Sequence, residues 1–207
     1  MIMKLYTNKD LRAKYDCYDP SWHFEESKGY TLLDYLNHET CPAKDKIWCV
    51  TRFLDDRSNR LFAVWCAKEA FKHVENPDPR SLKAIEVAER FANGEALSKE
   101  LYEANREAFS VGDDCYAYIA CYASFGRAGG AAYDTADVLA NAVVEYIVRE
   151  ERSPVGFHND VSLPSYDVKF FCFSGYKDAC TIASRNERKR QIEKLKKEIQ
   201  KGNWKEK

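Results

Sequence analysis

Between Asp16 and His23 the chain reads Asp-Cys-Tyr-Asp-Pro-Ser-Trp-His, placing two carboxylates, a thiol and an imidazole in one short stretch. Those are donor types that zinc and its neighbours take. Their spacing matches no familiar ligand pattern, and no Cys-x-x-Cys pair occurs in the sequence. The plainer reading is a turn bent at Asp19-Pro20, so no metal and no cofactor is expected. A second cluster, Asp55-Asp56-Arg57 followed by Asn59 and Arg60, has the groups for acid–base work or for clamping a substrate. It lies between two helical patterns, where carboxylates cap a helix start and arginines pair with them across the turn. That reading is preferred. His73 falls near a helix C-terminus, where the dipole favours an imidazolium. His38 and His158 stand in loops with no local partner. A Cys–His nucleophile pair is adjacent only in space, so no local spacing would reveal one.

The run Phe125-Gly126-Arg127-Ala128-Gly129-Gly130 has the glycine density of a phosphate-cradling loop. It lacks the lysine-hydroxyl ending and follows a helix rather than a strand, so a helix connector is the better reading. Around it, Tyr118, Tyr122, Arg127 and Tyr133 are candidates to line a stacking pocket for a small ligand such as a nucleotide.

The basic end is the clearest electrostatic feature. From Arg185 to Lys207 there are ten Lys/Arg and four Glu, a balance of +6, which leaves about −7 on the remainder of a chain of net charge −1. Such an end could meet nucleic acid or an acidic partner. Glu193–Lys197 and Glu187–Gln191 have i,i+4 spacing, and Ile192, Leu195 and Ile199 form an apolar seam, which favours a solvated helix that docks on the body or on a partner's helix.

The elements that must position these groups are helices. Asp78 caps and Pro79 opens a helix whose apolar stripe is Leu82, Ile85, Ala88, Phe91 and Ala92, and Asn93-Gly94 closes it. Before it, about Ser58 to Val74 is apolar nearly all round and is expected to be central. Pro42 to about Leu54 is a third helix, and the short links imply an antiparallel stack. Thr7–Asp10 and Thr31 start two short helices, and Ser98 to about Phe109 makes another with Leu101, Ala104, Asn105 and Ala108 on one side. Further helices are expected from Asp113 to Ala123, Ala131 to Glu150 and Tyr176 to Gln200. Arg152–Asp167 reads as a loop, and Asp167–Phe173 as a strand or buried extended arm. The sum is an all-α fold: an irregular antiparallel helical stack or short solenoid of about seven to nine helices with an extended loop near 151–173. One domain spans 1–207, with 1–30 as an N-terminal arm and 176–207 as a C-terminal basic helix.

A chain of 207 residues buries a core without staples. Its near-zero charge argues against general nucleic-acid binding. Several of its eight cysteines sit inside apolar helical stripes, where thiols act as small buried hydrophobes. No apolar run reads as a signal sequence or a membrane span, so a cytoplasmic protein with reduced thiols is expected.

The stretch RLFAVWCAKEAFKHVENPDPRSLKAIEVAERFANGEA, Arg60 to Ala96, resembles one carried by small helical proteins of bacteriophage genomes and, more distantly, by bacterial proteins labelled as immunity proteins. With Arg185–Gln200, similar in character, the resemblance covers about a quarter of the chain. Between Phe109 and Asp178 the sequence departs from it, with more tyrosine and the Arg152–Asp167 loop. The resemblance implies an all-helical fold and supplies no catalytic motif. It tilts the expectation toward a non-enzymatic, cytosolic protein-binding module, phage-encoded and blocking a host or toxin protein. A small-ligand pocket and nucleic-acid binding through residues 185–207 are the alternatives; no membrane role is expected. Ile47–Ala96 reads as scaffold, and specificity is assigned to less regular parts. The partner-binding candidates are Tyr18, Trp22, Phe24, Phe157, Tyr166, Arg185, Arg188, Lys189 and Arg190.

Overall fold

The computed structural model describes residues 4–14, 19–74, 76–111 and 174–206, with the side chains of the last helix described from Ile182 onward. These residues form seven α-helices: α1 (Asn8–Arg12), α2 (Leu32–Asn37), α3 (Ala43–Phe53), α4 (Asp56–Phe71), α5 (Pro79–Ala92), α6 (Ser98–Phe109) and α7 (Ser174–Gln200). A 3-10 turn spans Pro20–Trp22. The fold is all-α, as expected. The helices expected between 113 and 150, the loop near 151–173 and the strand-like 167–173 lie outside the described residues. So do Tyr18, Phe157 and Tyr166 of the partner-binding set, and all four pocket candidates, Tyr118, Tyr122, Arg127 and Tyr133.

Local chemistry sets the helix ends. The Asp78 carboxylate accepts the Arg80 N–H at 2.8 Å, with Pro79 at the first helical position. At the other end Gly94 takes φ +79, and the Glu95 N–H closes back on the Arg90 carbonyl at 2.8 Å. Thr31 and Asp34 cap α2 reciprocally, at 2.8 and 3.1 Å. Asp55 opens α4 by accepting the Ser58 N–H at 2.7 Å. The Asp55–Arg60 cluster is therefore architectural. Arg57 donates to Asn93 Oδ1 and the Asn203 carbonyl, and buried Asn59 to the Thr51 and Leu54 carbonyls. The Arg60 guanidinium is buried, 5.1 Å from the Phe91 ring centroid.

Packing follows chain order: α4 lies against α5 and α5 against α6, while α7 returns across α2 and α3. The contacting helices bury small residues: Ala63, Ala67 and Ala70 on α4, Ser81, Ala84 and Ala88 on α5, Ala104 and Ala108 on α6. Small side chains let helix axes approach closely and set ridge-in-groove packing. α4 is central, as its all-round apolarity predicts. The expected stripe on α5 needs correcting. Leu82 is 43% exposed, whereas Ser81, Ala84 and Val87 are buried. A helix held between two neighbours buries two flanks rather than one stripe.

The described parts of the 1–30 stretch are woven into this core. Tyr6 and Tyr30 exchange backbone hydrogen bonds at 2.9 and 2.8 Å, and the Tyr6 ring stacks on Phe53 at 3.8 Å. Phe24 meets Tyr35 edge-on at 4.8 Å and Tyr30 at 5.3 Å. The C-terminal segment closes the same layer. Asp55 N–H donates to the Lys205 carbonyl at 2.8 Å, Lys205 N–H to Ser58 Oγ at 2.8 Å, and Tyr6 Oη–H to Glu206 at 3.0 Å.

Cys41, Cys49 and Cys66 are unbridged and buried. Burial pushes the Cys41 thiol from 9.0 up to about 12 and raises the Cys66 thiol and the Tyr35 phenol well above their ordinary values. Each raised group stabilises the fold fully below its unfolded pKa. That contribution is lost as pH climbs toward the folded value, because the unfolded chain ionises first. Stability measured by urea unfolding is expected to hold from neutral pH to about pH 9 and to fall steadily above it; no decline there would refute the burial of these groups. Among the described residues no helix is long and apolar enough to cross a membrane.

Candidate functional site

The best-defined candidate surface is the turn that carries Trp22. Its N-cap, Asp19, accepts the Ser21 N–H at 3.0 Å, and Pro20 fixes the next backbone angle. The Arg12 guanidinium grips both shoulders, bonding Asp19 at 3.0 Å and the Glu26 carboxylate through both of its terminal nitrogens. Asn8 Nδ2 donates to the Phe24 carbonyl at 2.9 Å and to Glu26 at 3.2 Å. Ser21 and then Arg12 hold the Asp19 carboxyl below the usual carboxylate range, and Arg12 and then Asn8 do the same for Glu26. With the turn so fixed, alternate aromatics part ways. Phe24 goes into the core at 2% exposure, while Trp22 points outward at 72%. Phe24 is thus withdrawn from the partner-binding set: it is a core anchor. Trp22 stays in it.

Beside this turn, three chemically active side chains converge. His23 Nε2 lies 3.2 Å from Asp45 Oδ2, and the donor atoms of His23, Cys41 and Asp45 all fall within 4.8 Å of one another. α3 positions two of them. Its N-cap is Pro42, which offers no side-chain bond, and Asp45 supplies the acidic group of the first turn. Cys41 immediately precedes that cap, is 4% exposed, and donates its S–H to the Pro42 carbonyl at 3.7 Å. In sequence, His23's nearest candidate partners are Asp16, Cys17 and Asp19, of which Asp16 and Cys17 lie outside the described residues. Asp19 is a cap, and the partners come from the next helix start. Only the position of an aspartate and a cysteine flanking Pro42 hinted at it. His38, expected to be partnerless, packs edge-on against Phe24 at 4.8 Å.

The basic helix is docked rather than projecting. Arg190 spans Glu69 on α4 at 2.5 Å and Glu187 at 2.8 Å, and Lys72 joins Glu69 at 2.6 Å. Burial draws the Glu69 carboxyl upward, but Lys72 and Arg190 outweigh it and hold it below its ordinary value. Burial raises Glu187 despite Arg190. Arg190, a partner-binding candidate, pairs with both glutamates while its side chain stays 53% exposed. Arg185 and Lys189 are exposed and Arg188 is half-buried. Ile192 and Leu195 are buried and Ile199 packs against the core, so the predicted seam docks on the body. The ion pairs differ from the expected i,i+4 set: Glu193 pairs with Lys196, Glu187 with Arg190, and Lys194 with Glu198.

A shallow cleft of about 270 Å³ between α1 and α3 is lined by Lys4, Leu5, Tyr6, Asp10, Ala13, Lys14, Arg52 and Phe53. Its three cations against one carboxylate give it a positive cast that the sequence did not single out.

Comparison with models of protein families, with curated proteins and with solved structures gives no match. The described members of Arg60–Ala96 serve as caps, turns and core.

Proposed function

We propose that this chain is a non-enzymatic, cytosolic protein-binding module that docks through the Trp22 turn, and that it blocks a host or toxin protein of the kind the phage resemblance implies. The observation that carries the reading is Trp22 itself, a large ring 72% exposed on a turn whose two shoulders are clamped to α1. Tryptophan is enriched among the few residues that dominate interface energy. A turn already fixed in place avoids part of the ordering cost of association. Exposed Arg185 and Lys189 suit an acidic surface elsewhere on the partner. The test is capture from host lysate on the tagged full chain, beside Trp22→Ala. A stoichiometric protein retained by the first and lost by the second supports the proposal; no such protein, or equal retention, sinks it.

The cleft favours a second reading, a small-anion or nucleotide binder, since Lys4, Lys14 and Arg52 line it together with Tyr6. A thermal-shift screen against nucleotides decides it: a shift abolished by Arg52→Ala supports this reading, and no shift disposes of it. Nucleic-acid binding through 185–207 is less favoured, because α7 matches much of its charge internally.

A further inference from the structure

We propose that His23, Cys41 and Asp45 form a binding site for one zinc-type divalent ion at the N-terminal end of α3, joining the Trp22 turn to the start of that helix. The donor set is the first argument. A thiol, an imidazole and a carboxylate are the three protein groups that zinc binds, and a site with three protein ligands leaves a fourth position for water. Sulfur with nitrogen selects for zinc over magnesium or calcium, which take oxygen cages.

Geometry is the second argument. With Zn–S near 2.3 Å and Zn–N or Zn–O near 2.0–2.2 Å, tetrahedral donors stand roughly 3.3–3.6 Å apart. The His23–Asp45 pair is already at 3.2 Å, and the widest separation in the trio is no more than 4.8 Å. The widest separation exceeds the tetrahedral spacing by no more than about 1.5 Å. The site is also reachable: Cys41 is buried, but the His23 and Asp45 side chains are 19% and 29% exposed.

Electrostatics is the third. The positive end of a helix repels a bare cation but stabilises the two anions that would hold it, a thiolate and a carboxylate. Their paired charge neutralises a dication. Without metal, the Cys41 S–H donates to the Pro42 carbonyl at 3.7 Å. A coordinating thiol is deprotonated outright, so binding releases the Cys41 proton to solvent. The same three groups in another arrangement make a nucleophile triad. Here the thiol donates to a backbone carbonyl rather than to the His23 imidazole, which is not the arrangement of an activated nucleophile.

The experiment is a Co²⁺ titration of the reduced full chain. The expected result is a near-ultraviolet thiolate-to-cobalt absorption that saturates at one equivalent and is displaced by Zn²⁺. Cys41→Ser should abolish it. Asp45→Asn and His23→Gln, both at partly exposed positions that leave the core intact, should weaken Zn²⁺ affinity by more than the roughly 10–100-fold that losing a supporting group costs. Circular dichroism confirms that each variant is folded. No absorption, or an absorption that survives Cys41→Ser and so belongs to another cysteine, overturns the proposal. Rapid alkylation of Cys41 by iodoacetamide at neutral pH, unslowed by Zn²⁺, also overturns it in favour of a nucleophile. Because the readout is metal on the isolated chain, it stands or falls separately from partner capture through Trp22.

Discussion

Trp204→Ala is expected to lower the unfolding free energy by about 3–5 kcal/mol, the usual cost of deleting a large buried aromatic ring. Trp204 is 6% exposed and meets Phe62 of α4 edge-on at 5.8 Å. The Lys194 ammonium lies 5.7 Å from its ring centroid and 5.8 Å from that of Trp65, so one cation bridges two indoles. The chain reaches this position by a defined route. Gly202 adopts φ +72 just after α7, reversing direction, and Asn203 Nδ2 braces Glu198 at 2.7 Å. Beyond Trp204 the backbone pairs with the turn between α3 and α4. Losing the ring opens a cavity at the junction of α4 and α7 and loosens that pairing too, so the upper half of the range is favoured. Trp204→Phe should recover most of the loss, since an edge-on contact to Phe62 survives. Urea unfolding monitored by circular dichroism measures both. A change under about 1 kcal/mol for the alanine variant, the level of an ordinary surface substitution, would mean that the C-terminal segment is not part of the core.

The parts of this molecule that were legible in the sequence are those whose physics is local. Asp78-Pro79 with Asn93-Gly94, and Thr31 as a helix start, specify helix ends through backbone donors a few residues away, and the structure has them as read. The apolar surface of α4 announced a central helix because burial on several sides leaves no polar face. The stripe on α5 misled because two neighbours, not one, select what it buries, and small residues such as Ser81 and Ala84 carry no hydrophobic signal strong enough to compete with Leu82. The pairs on α7 shifted because i,i+3 and i,i+4 partners are equally near on a helix and Arg190 also reaches Glu69 on another element. The meeting of His23 with Cys41 and Asp45 was illegible for a stronger reason. It depends on how the first turns pack against the start of α3, and no period or spacing encodes that.

Trp22 and Phe24, two positions apart, should separate function from stability. The stretch has no helical or strand period to say which ring is inside, so both were candidates for a partner. The hydrogen bonds decide it: Asn8 fixes the Phe24 carbonyl, His23 N–H and Phe24 N–H both close on the Pro20 carbonyl, and the Phe24 ring is driven against Tyr30, Tyr35 and His38. Trp22→Ala is therefore expected to change unfolding free energy by no more than about 0.5 kcal/mol, as at other exposed sites. Phe24→Ala should cost about 3–5 kcal/mol. For the captured partner the order reverses. Removing a central exposed tryptophan costs about 2 kcal/mol or more, a fall of roughly 30-fold in affinity. Phe24→Leu, which keeps most of the buried volume and loses about 1 kcal/mol, should bind the partner as the wild type does once the folded fraction is matched. Calorimetric titration of the two variants against that partner checks the reversal. If Phe24→Leu weakens binding as much as Trp22→Ala while remaining folded, the turn acts through its shape rather than through the exposed ring, and Trp22 is not the anchor.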